Sequence, residues 1–297
     1  MSAVFIGCVE FSKILLEEII SIGKIPVVGV VTKRKSKFNS DFYDLTEVAG
    51  KNGIKVFYYT GTESNNEMVD WIKTLSPNVI FCFGWSHLLP VEIFNLAPLG
   101  TIGYHPASLP ANRGRHPIIW SLVLGLKSTS STFFKIDEGA DSGEIVSQEN
   151  TYIDENDDAM GLYTRLEKIA VKQVRTICQE VSEGKLSLRA QDHNKANYWR
   201  KRTEKDGEID WRMSSRSIHN LVRGISKPYP GAFFVFENEK VRVWKARIYE
   251  EEVPLNFEAG KILKVHGSCF VVKTGEGAIE ILDYSSDNFQ PIEGMYL

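Results

Sequence analysis

The N-terminal half of the chain alternates short apolar runs with segments of helical periodicity, and this order constrains the fold more than any other feature. Four runs have the composition of buried strands. They are Ala3–Ile6, Val27–Thr32, Lys55–Tyr59 and Val79–Phe83. Between them, Phe11–Ile22 and Glu67–Leu75 carry apolar residues at helical spacing. A βαβα order predicts a Rossmann-like parallel sheet covered by helices.

Parallel sheets of this kind bind ligands beyond the carboxyl ends of their strands. Gly84–Pro90 directly follows the fourth predicted strand, and the segment that contains His105 comes soon after it. Both segments are therefore expected at the mouth of a ligand site.

The second half of the chain has a different rhythm. A long amphipathic helix is predicted over Gly161–Ser182, and polar sequence follows it through Asn197. Five short strands separated by turns then predict a small antiparallel β-barrel. They lie near Ala232–Phe236, Val241–Ile248, Gly260–Val265, Cys269–Thr274 and Ala278–Tyr284. We expect a catalytic domain over 1–189, a linker over 190–205 and a barrel domain over 206–297.

Composition narrows the class of protein. Of the 297 residues, 43% are apolar and 25% are charged, as in ordinary globular proteins. No run reaches the ~18–20 apolar residues of a membrane span. The four cysteines lack CxxC spacing, and the first residues lack the features of a secretion signal, so a cytoplasmic location is expected. A net charge of −3 argues against a broad nucleic-acid surface.

Two segments predict proton-transfer chemistry. Gly103–Arg115 places His105 directly before a proline, which favours an extended or turn conformation, and imidazole exchanges protons near neutral pH. Asp137–Gly143 is an acidic loop with two glycines that brings Asp141 and backbone groups towards a ligand. Taken singly, a loop histidine is more often structural, and Asp-Ser-Gly is ordinary turn sequence.

Other cofactor and ligand motifs are absent or weak. Gly7–Phe11 lacks the G-x-G-x-x-G spacing of a dinucleotide site, and no Walker A loop is present. Arg113 and Arg115 have the chemistry to bind phosphate or carboxylate, although solvated surface positions are the favoured interpretation. The tract Lys33–Lys37 is interpreted as a solvated basic loop.

Four motifs, in this order and spacing, resemble the folate-dependent formyltransferase family. They are Gly7-Cys-Val-Glu-Phe11, Phe83-Gly-Trp-Ser-His-Leu-Leu-Pro90, His105-Pro-Ala-Ser-Leu-Pro-Ala-Asn-Arg-Gly114 and Asp137-Glu-Gly-Ala-Asp-Ser-Gly143. The later segments Asp206–Trp211, Ile218–Arg223 and Pro228–Gly231 look like the small, OB-like barrel domain of the family. The resemblance covers most of the chain.

The resemblance implies that 10-formyltetrahydrofolate, with no metal, donates a formyl group to a primary amine. His105 would be the proton-transfer residue, and Asp141 its carboxylate partner. The pterin would lie against His87, Leu88 and Leu89, with Arg115 nearby. The loop around it would be formed by Asp137, Glu138, Gly139, Ala140 and Asp141.

One position departs from the family. Its members normally carry Asn two residues before the histidine, and the amide helps to hold the tetrahedral intermediate, whereas this chain has Gly103. Loss of such a donor typically lowers the rate by ~10²–10³. A backbone N–H, the Asn112 amide or His116 could replace it; otherwise the protein is slow, or is a folate-binding relic.

The acceptor amine is expected to belong to an amino sugar. Residues 204–297 contain 12 Lys/Arg and 15 Asp/Glu, which does not favour binding of tRNA phosphates. His105–Pro110 and Tyr198–Thr203 look closer to sugar N-formyltransferases of surface-glycan biosynthesis, with a nucleotide-linked substrate and a homodimer expected. Methionyl-tRNA formyl transfer is the alternative, and hydrolysis of formyl-folate is a third.

Overall fold

A computed structural model describes residues 1–36 and 41–297, and the chain divides into two units. The first unit comprises Met1–Gly114, Thr129–Thr151 and Thr164–Trp199. The second comprises Arg115–Ser128, Tyr152–Tyr163 and Arg200–Leu297. The domain bounds expected from the sequence stay a prediction, and residues 191–199 of the expected linker lie in the first unit. Lys37, the end of the basic tract, lies outside the described residues.

A seven-stranded sheet forms the centre of the first unit, in the order β3-β2-β1-β4-β5-β7-β8. Its strands are β1 (Ala3–Ile6), β2 (Val27–Thr32), β3 (Lys55–Tyr58), β4 (Val79–Cys82), β5 (Thr101–His105), β7 (Ser128–Lys135) and β8 (Ile145–Tyr152). The first five run parallel, and β7 pairs antiparallel with β5. The parallel Rossmann-like sheet predicted from the sequence is therefore confirmed. A separate short pair joins β6 (Arg113–Gly114) to β9 (Tyr198–Trp199).

Strand β7 is absent from the sequence-based interpretation because its sequence, Ser-Thr-Ser-Ser-Thr-Phe-Phe-Lys, is rich in hydroxyl side chains. The side chains of Thr129, Ser130, Ser131 and Thr132 are buried and hydrogen-bonded, whereas Ser128 is exposed. The Thr132 hydroxyl donates to the Ala107 carbonyl at 2.7 Å, and the Ser130 hydroxyl donates to the Asn150 amide oxygen at 2.6 Å. Because each buried hydroxyl has a partner, a polar strand is stable in the interior of the sheet.

The first, third and sixth α-helices of the described residues agree closely with the periodicity of the sequence. The helices are α1 (Glu10–Ile22), α2 (Thr46–Lys51), α3 (Asn65–Leu75), α4 (Val91–Phe94), α5 (Pro117–Val123), α6 (Ala159–Ser182) and α7 (Ser215–Gly224). Helix α1 buries Phe11, Leu15 and Ile19, and Gly23 ends it in the left-handed conformation, at φ 66°. The apolar stripe predicted for α6, from Leu162 to Val181, is buried except at Ile169, which is half-buried.

The second unit contains a five-stranded antiparallel sheet in the order β10-β11-β14-β13-β12. Its strands are β10 (Ala232–Phe236), β11 (Glu239–Tyr249), β12 (Ile262–His266), β13 (Cys269–Lys273) and β14 (Ala278–Ser285). In its core, Phe289 packs edge-on against Phe234 and at a tilt against Phe270. A small antiparallel β domain after the α/β domain is thus confirmed, while the OB-like comparison stays a prediction.

His219 on α7 gives the second unit a pH-dependent stability. Burial, followed by the charges of Arg223 and Arg216, lowers the pKa of His219 to about 4, against an opposing contribution from Glu155. Within the described residues its Nδ1 is buried without a hydrogen-bond partner. The unfolded chain therefore binds a proton that the folded chain does not, and stability present above pH ~6.5 is lost as the pH falls towards 4.

The unfolding free energy of the wild type should fall between pH 7 and pH 5. We expect this fall to be about 1 kcal/mol smaller in His219→Gln, since solvent screening reduces the full effect of the pKa shift. Urea unfolding at the two pH values measures this. The exposed His266 supplies the control, since His266→Gln should leave the pH dependence unchanged. Identical pH dependence in wild type and His219→Gln would show that this histidine is not responsible.

Candidate active site

His105 is the last residue of β5, at the carboxyl end of a strand inside the sheet. The residue is 4% exposed. Its ring Nε2 lies 2.8 Å from the Asn112 carbonyl oxygen, and its Nδ1 lies 3.6 Å from Asp141 Oδ2. Both ring nitrogens therefore face oxygen acceptors. A ring that gains a proton during a reaction would find a partner for each N–H.

Asp141 belongs to the loop that follows β7, and its backbone is in the left-handed region at φ 53°. Its Oδ2 accepts a hydrogen bond from the Gly114 N–H at 2.8 Å. The side chain is 22% exposed, in contrast to the buried ring of His105. The pair is thus accessible from the Asp141 side, where an incoming substrate could meet the carboxylate and the adjacent ring.

The Asp137–Gly143 loop is closed by its own residues. Asp137 Oδ1 accepts from the Gly139 N–H at 3.1 Å and from the Ser142 hydroxyl at 2.6 Å. A Cβ at Gly143 would lie 1.8 Å from the Lys135 carbonyl oxygen, so the close return of the chain requires glycine. Glu138, Gly139 and Ala140 are exposed at the tip. The structure therefore leaves the tip of this loop accessible, as expected of a ligand-binding loop.

The second predicted loop follows β4. The His87 ring lies 5.5 Å from the Tyr59 ring and 5.7 Å from the Trp85 ring, and its Nε2 contacts the Lys33 ammonium. Leu88 is 92% exposed. Leu89 packs against the apolar cluster of the sheet that Ile136 also joins. The two predicted ligand loops are thereby anchored on one cluster at the same edge of the sheet.

Gly103 lies on β5 where the family resemblance implies Asn. A Cβ at this position would be 2.9 Å from Ile136 Cγ1 and 3.1 Å from Phe134 Cζ. Real Cβ atoms do not tolerate the shorter distance, so Ile136 fills the volume that a side chain at 103 would need. Glycine at position 103 therefore makes room for Ile136, the residue that directly precedes the Asp137 loop.

Two arginines were candidates for binding anionic groups, and they differ in burial. Arg113 is 1% exposed, with its guanidinium bound to Gln191 and Tyr198. The expectation that Arg113 faces solvent or a substrate carboxylate is wrong, because folding buries it under residues about 80 positions later. Arg115 is exposed and belongs to the second unit, so its contact with folate stays a prediction.

The structure gives contacts of other kinds for His116 and Asn112, two of the suggested sources of a replacement donor, and the donor itself stays a prediction. His116 is the N-cap residue of α5 without a side-chain capping hydrogen bond, and its Nδ1 accepts from the Arg202 N–H at 3.3 Å. Burial, followed by the charges of Arg115 and Arg202, lowers the pKa of His116. The backbone of Asn112 is in the left-handed region, at φ 66°, and its carbonyl oxygen contacts His105 Nε2. A backbone contact carries no residue-type signal, so sequence alone could not have identified it.

Metal-binding clusters and membrane-spanning helices are both absent from the described residues. Across residues 1–36 and 41–297, no three His, Cys, Asp or Glu side chains are grouped so as to hold a metal ion. None of the helices in those residues combines the length and apolarity needed to cross a bilayer.

Comparisons with known proteins identify the family of the chain. The formyl transferase family model matches residues 3–178, and the model of the formyl transferase C-terminal domain matches residues 201–294. Methionyl-tRNA formyltransferase of Caldanaerobacter subterraneus subsp. tengcongensis is 32% identical over 291 residues, which cover 97% of this chain and 93% of that protein. The chain therefore belongs to the formyl transferase family, and is an enzyme that transfers a formyl group.

Solved structures show the same fold. WlaRD, a sugar 3N-formyl transferase crystallised with dTDP and 5-N-formyl-THF, has a TM-score of 0.70 at 18% identity, over 98% of this chain and 99% of that chain. The N-formyltransferase from Helicobacter canadensis, in complex with folinic acid and dTDP-3-aminofucose, has a TM-score of 0.71 at 19% identity, over 95% of this chain and 99% of that chain. The predicted fold and family are confirmed.

Proposed function

We propose that this enzyme moves the formyl group of 10-formyltetrahydrofolate to the primary amine of an amino sugar that is linked to a nucleotide. The observation that carries the proposal is the juxtaposition of His105 and Asp141, 36 residues apart in sequence, with Nδ1 and Oδ2 3.6 Å from each other. Both come from motifs that resemble the folate-dependent formyltransferases. A cytoplasmic location, a homodimer and an OB-like second domain belong to the same proposal.

The chemistry needs one group that takes and returns a proton. A bond forms between the acceptor nitrogen and the formyl carbon, and the bond between that carbon and N10 of the folate breaks. The amine loses one proton and N10 gains one, so the transfer balances through His105. Asp141 orients the ring and stabilises its cation, while the Asn112 carbonyl holds the opposite nitrogen.

The loop after β4 and the Asp137–Gly143 loop suit a flat ring system that has hydrogen-bonding groups along its edge. Leu88 offers an apolar surface, and the exposed backbone of Glu138–Ala140 offers N–H and carbonyl groups. Because the Asp137 carboxylate is already bound within its own turn, the loop presents a formed edge to a ligand. Bound at these loops, the folate supplies the activated formyl carbon.

The charge of the second unit favours a sugar over a nucleic acid. At least five cationic side chains of residues 204–297 are paired with carboxylates. These are Arg212, Arg216, Lys240, Arg247 and Lys264. Together with the excess of 15 acidic over 12 basic residues in this segment, the pairing leaves little positive charge for the phosphates of a tRNA.

The second candidate is formyl transfer to methionyl-tRNA. It is favoured by the 32% identity, over nearly the whole chain, to the Caldanaerobacter enzyme of that name. It predicts steep inhibition by salt, since each phosphate contact that is lost lowers affinity. The sugar proposal predicts a weaker salt dependence, because a nucleotide diphosphate carries few charges.

An acceptor panel tests the substrate class. Tetrahydrofolate release from 10-formyltetrahydrofolate is followed with nucleotide-linked 3- and 4-amino sugars, a free and a CMP-linked nine-carbon amino sugar, and initiator methionyl-tRNA. We expect turnover with one amino sugar and at least ~10²-fold less with the charged tRNA, because an acceptor that leaves the polar groups of the site unpaired is strongly disfavoured. Turnover with the tRNA alone would reject the sugar proposal.

A further inference from the structure

Asp141 is held in a backbone conformation that a non-glycine residue rarely adopts, with φ 53°. Such a conformation is unfavourable by about 1–2 kcal/mol and persists where surrounding contacts hold it. The Gln191 side chain provides such contacts. Its Nε2 donates to the Asp141 carbonyl oxygen at 2.9 Å and to the Gly143 carbonyl oxygen at 2.6 Å. One amide group thus bridges the turn that carries the candidate carboxylate.

Gln191 is itself fixed from the opposite side. Its Oε1 accepts from Arg113 Nη2 at 2.7 Å and from Arg113 Nε at 3.2 Å. The same guanidinium donates to the Tyr198 hydroxyl at 2.8 Å and contacts His193 Nδ1 at 3.2 Å. Gln191 and Tyr198 carry no charge, although Arg113 is almost fully buried. A buried cation is costly unless its hydrogen bonds are well placed, which ties these residues to one geometry.

The backbone on either side of Arg113 contacts both members of the proposed pair. Asn112 supplies its carbonyl to His105 Nε2, and Gly114 donates its N–H to Asp141 Oδ2. Strand pairing fixes this three-residue segment, since Arg113 and Gly114 pair with Tyr198 and Trp199. Arg113 therefore anchors a short segment whose backbone contacts both His105 Nε2 and the Asp141 carboxylate.

We propose that Gln191, through Arg113, is a positioning residue that holds Asp141 and His105 in register for proton transfer. The inference rests on the proposed roles of that pair. It assigns a task to residues 191–199, which the sequence pattern places in a linker. Gln191 hydrogen-bonds directly to the backbone of Asp141. It also binds Arg113, which lies in the segment 112–114 that contacts His105 and Asp141.

The variant Gln191→Glu separates positioning from folding. Glutamate has nearly the same shape and keeps an acceptor for Arg113, and its charge pairs with the guanidinium. It lacks the N–H groups that bind the Asp141 and Gly143 carbonyls, and its oxygen would repel them. We expect kcat to fall about 10–100-fold with KM for both substrates changed less than about threefold, as for misplacement of a reacting group by ~1 Å.

Gln173 supplies the matched control. It is equally buried in the same unit, and its Nε2 donates to the Ser131 carbonyl at 3.1 Å and to the Ser147 hydroxyl at 2.9 Å, away from the pair. Gln173→Glu should lower the melting temperature at least as much as Gln191→Glu while kcat stays within about twofold of wild type. Where Gln191→Glu does not fold, Gln191→Met removes the same donors without adding charge.

The outcomes separate the inference from the proposed function. If wild type turns over and His105→Asn does not, but Gln191→Glu matches Gln173→Glu in kcat, the positioning role is refuted and the proposed function stands. A crystal structure of Gln191→Glu gives a second readout, independent of activity. We expect Asp141 to leave the left-handed region or move away from His105; an unchanged Asp141 would overturn the inference even if wild type proved inactive.

Discussion

His105→Asn is expected to lower kcat for formyl transfer by about 10²–10⁴ while the protein folds normally. Asparagine has no group that takes a proton near neutral pH, so the amine would have to lose its proton to water. The side-chain amide of the new asparagine can donate a hydrogen bond to the Asn112 carbonyl oxygen, which limits the structural change. Stopped-flow or absorbance measurement of tetrahydrofolate release under saturating substrates gives kcat directly.

Asp141→Asn is also expected to lower kcat, by a smaller factor of about 10² or more. The amide oxygen can still accept from the Gly114 N–H at the position of Oδ2, but the negative charge that stabilises the His105 cation is lost. Because the two residues act as a unit, the double variant should be little worse than His105→Asn alone.

Matched substitutions outside the site control for non-specific damage. His266→Asn changes an exposed histidine of the second unit, and Asp70→Asn changes an exposed carboxylate of helix α3 that pairs with Lys73. Both should retain wild-type kcat. If His105→Asn and Asp141→Asn also keep wild-type turnover, the proposed proton-transfer pair is wrong.

Gly103→Asn is expected to destabilise the protein by about 2–3 kcal/mol and to lower activity, rather than to improve the site. The new Cβ would lie 2.9 Å from Ile136 Cγ1 within the sheet. The displaced Ile136 directly precedes Asp137, so the strain should reach the candidate ligand loop. Urea unfolding gives the stability change, and the kcat assay gives the change in activity.

The double variant Gly103→Asn with Ile136→Ala tests whether these two side chains compete for one volume. Truncation of Ile136 alone should cost about 2–5 kcal/mol, but the pair should lose at least about 1 kcal/mol less than the sum of the single changes. Gly50→Ala is the control, because a Cβ at Gly50 in helix α2 has nothing within 4 Å and should be neutral or stabilising. Additive losses at 103 and 136 would contradict the packing explanation.

Much of the fold follows from local sequence, whereas the environment of the site does not. The apolar runs of β1 to β4 and the stripe of α6 have periodicities that local sequence reveals. The polar strand β7 was missed because its stability depends on hydrogen bonds to distant groups such as the Ala107 carbonyl. Secondary-structure patterns do not record such partners.

The candidate site divides in the same way. His105 and Asp141 could be selected from their residue types and motifs, since imidazole and carboxylate have limited chemical roles. The burial of Arg113 could not, because Gln191 and Tyr198 are distant in sequence and meet it only in the folded chain. The reason for Gly103 was also hidden, because it depends on contact with Ile136 across paired strands.

The most direct test of the central claim is the dependence of tetrahydrofolate release on the acceptor amine. Wild-type enzyme is incubated with 10-formyltetrahydrofolate, with and without the nucleotide-linked amino sugar selected from the panel, and tetrahydrofolate and N-formyl product are both quantified. Formyl transfer through His105 and Asp141 predicts release only with amine, one N-formyl product per tetrahydrofolate, and loss of both in His105→Asn. Equal release without amine, accompanied by formate, would contradict the claim and identify a hydrolase.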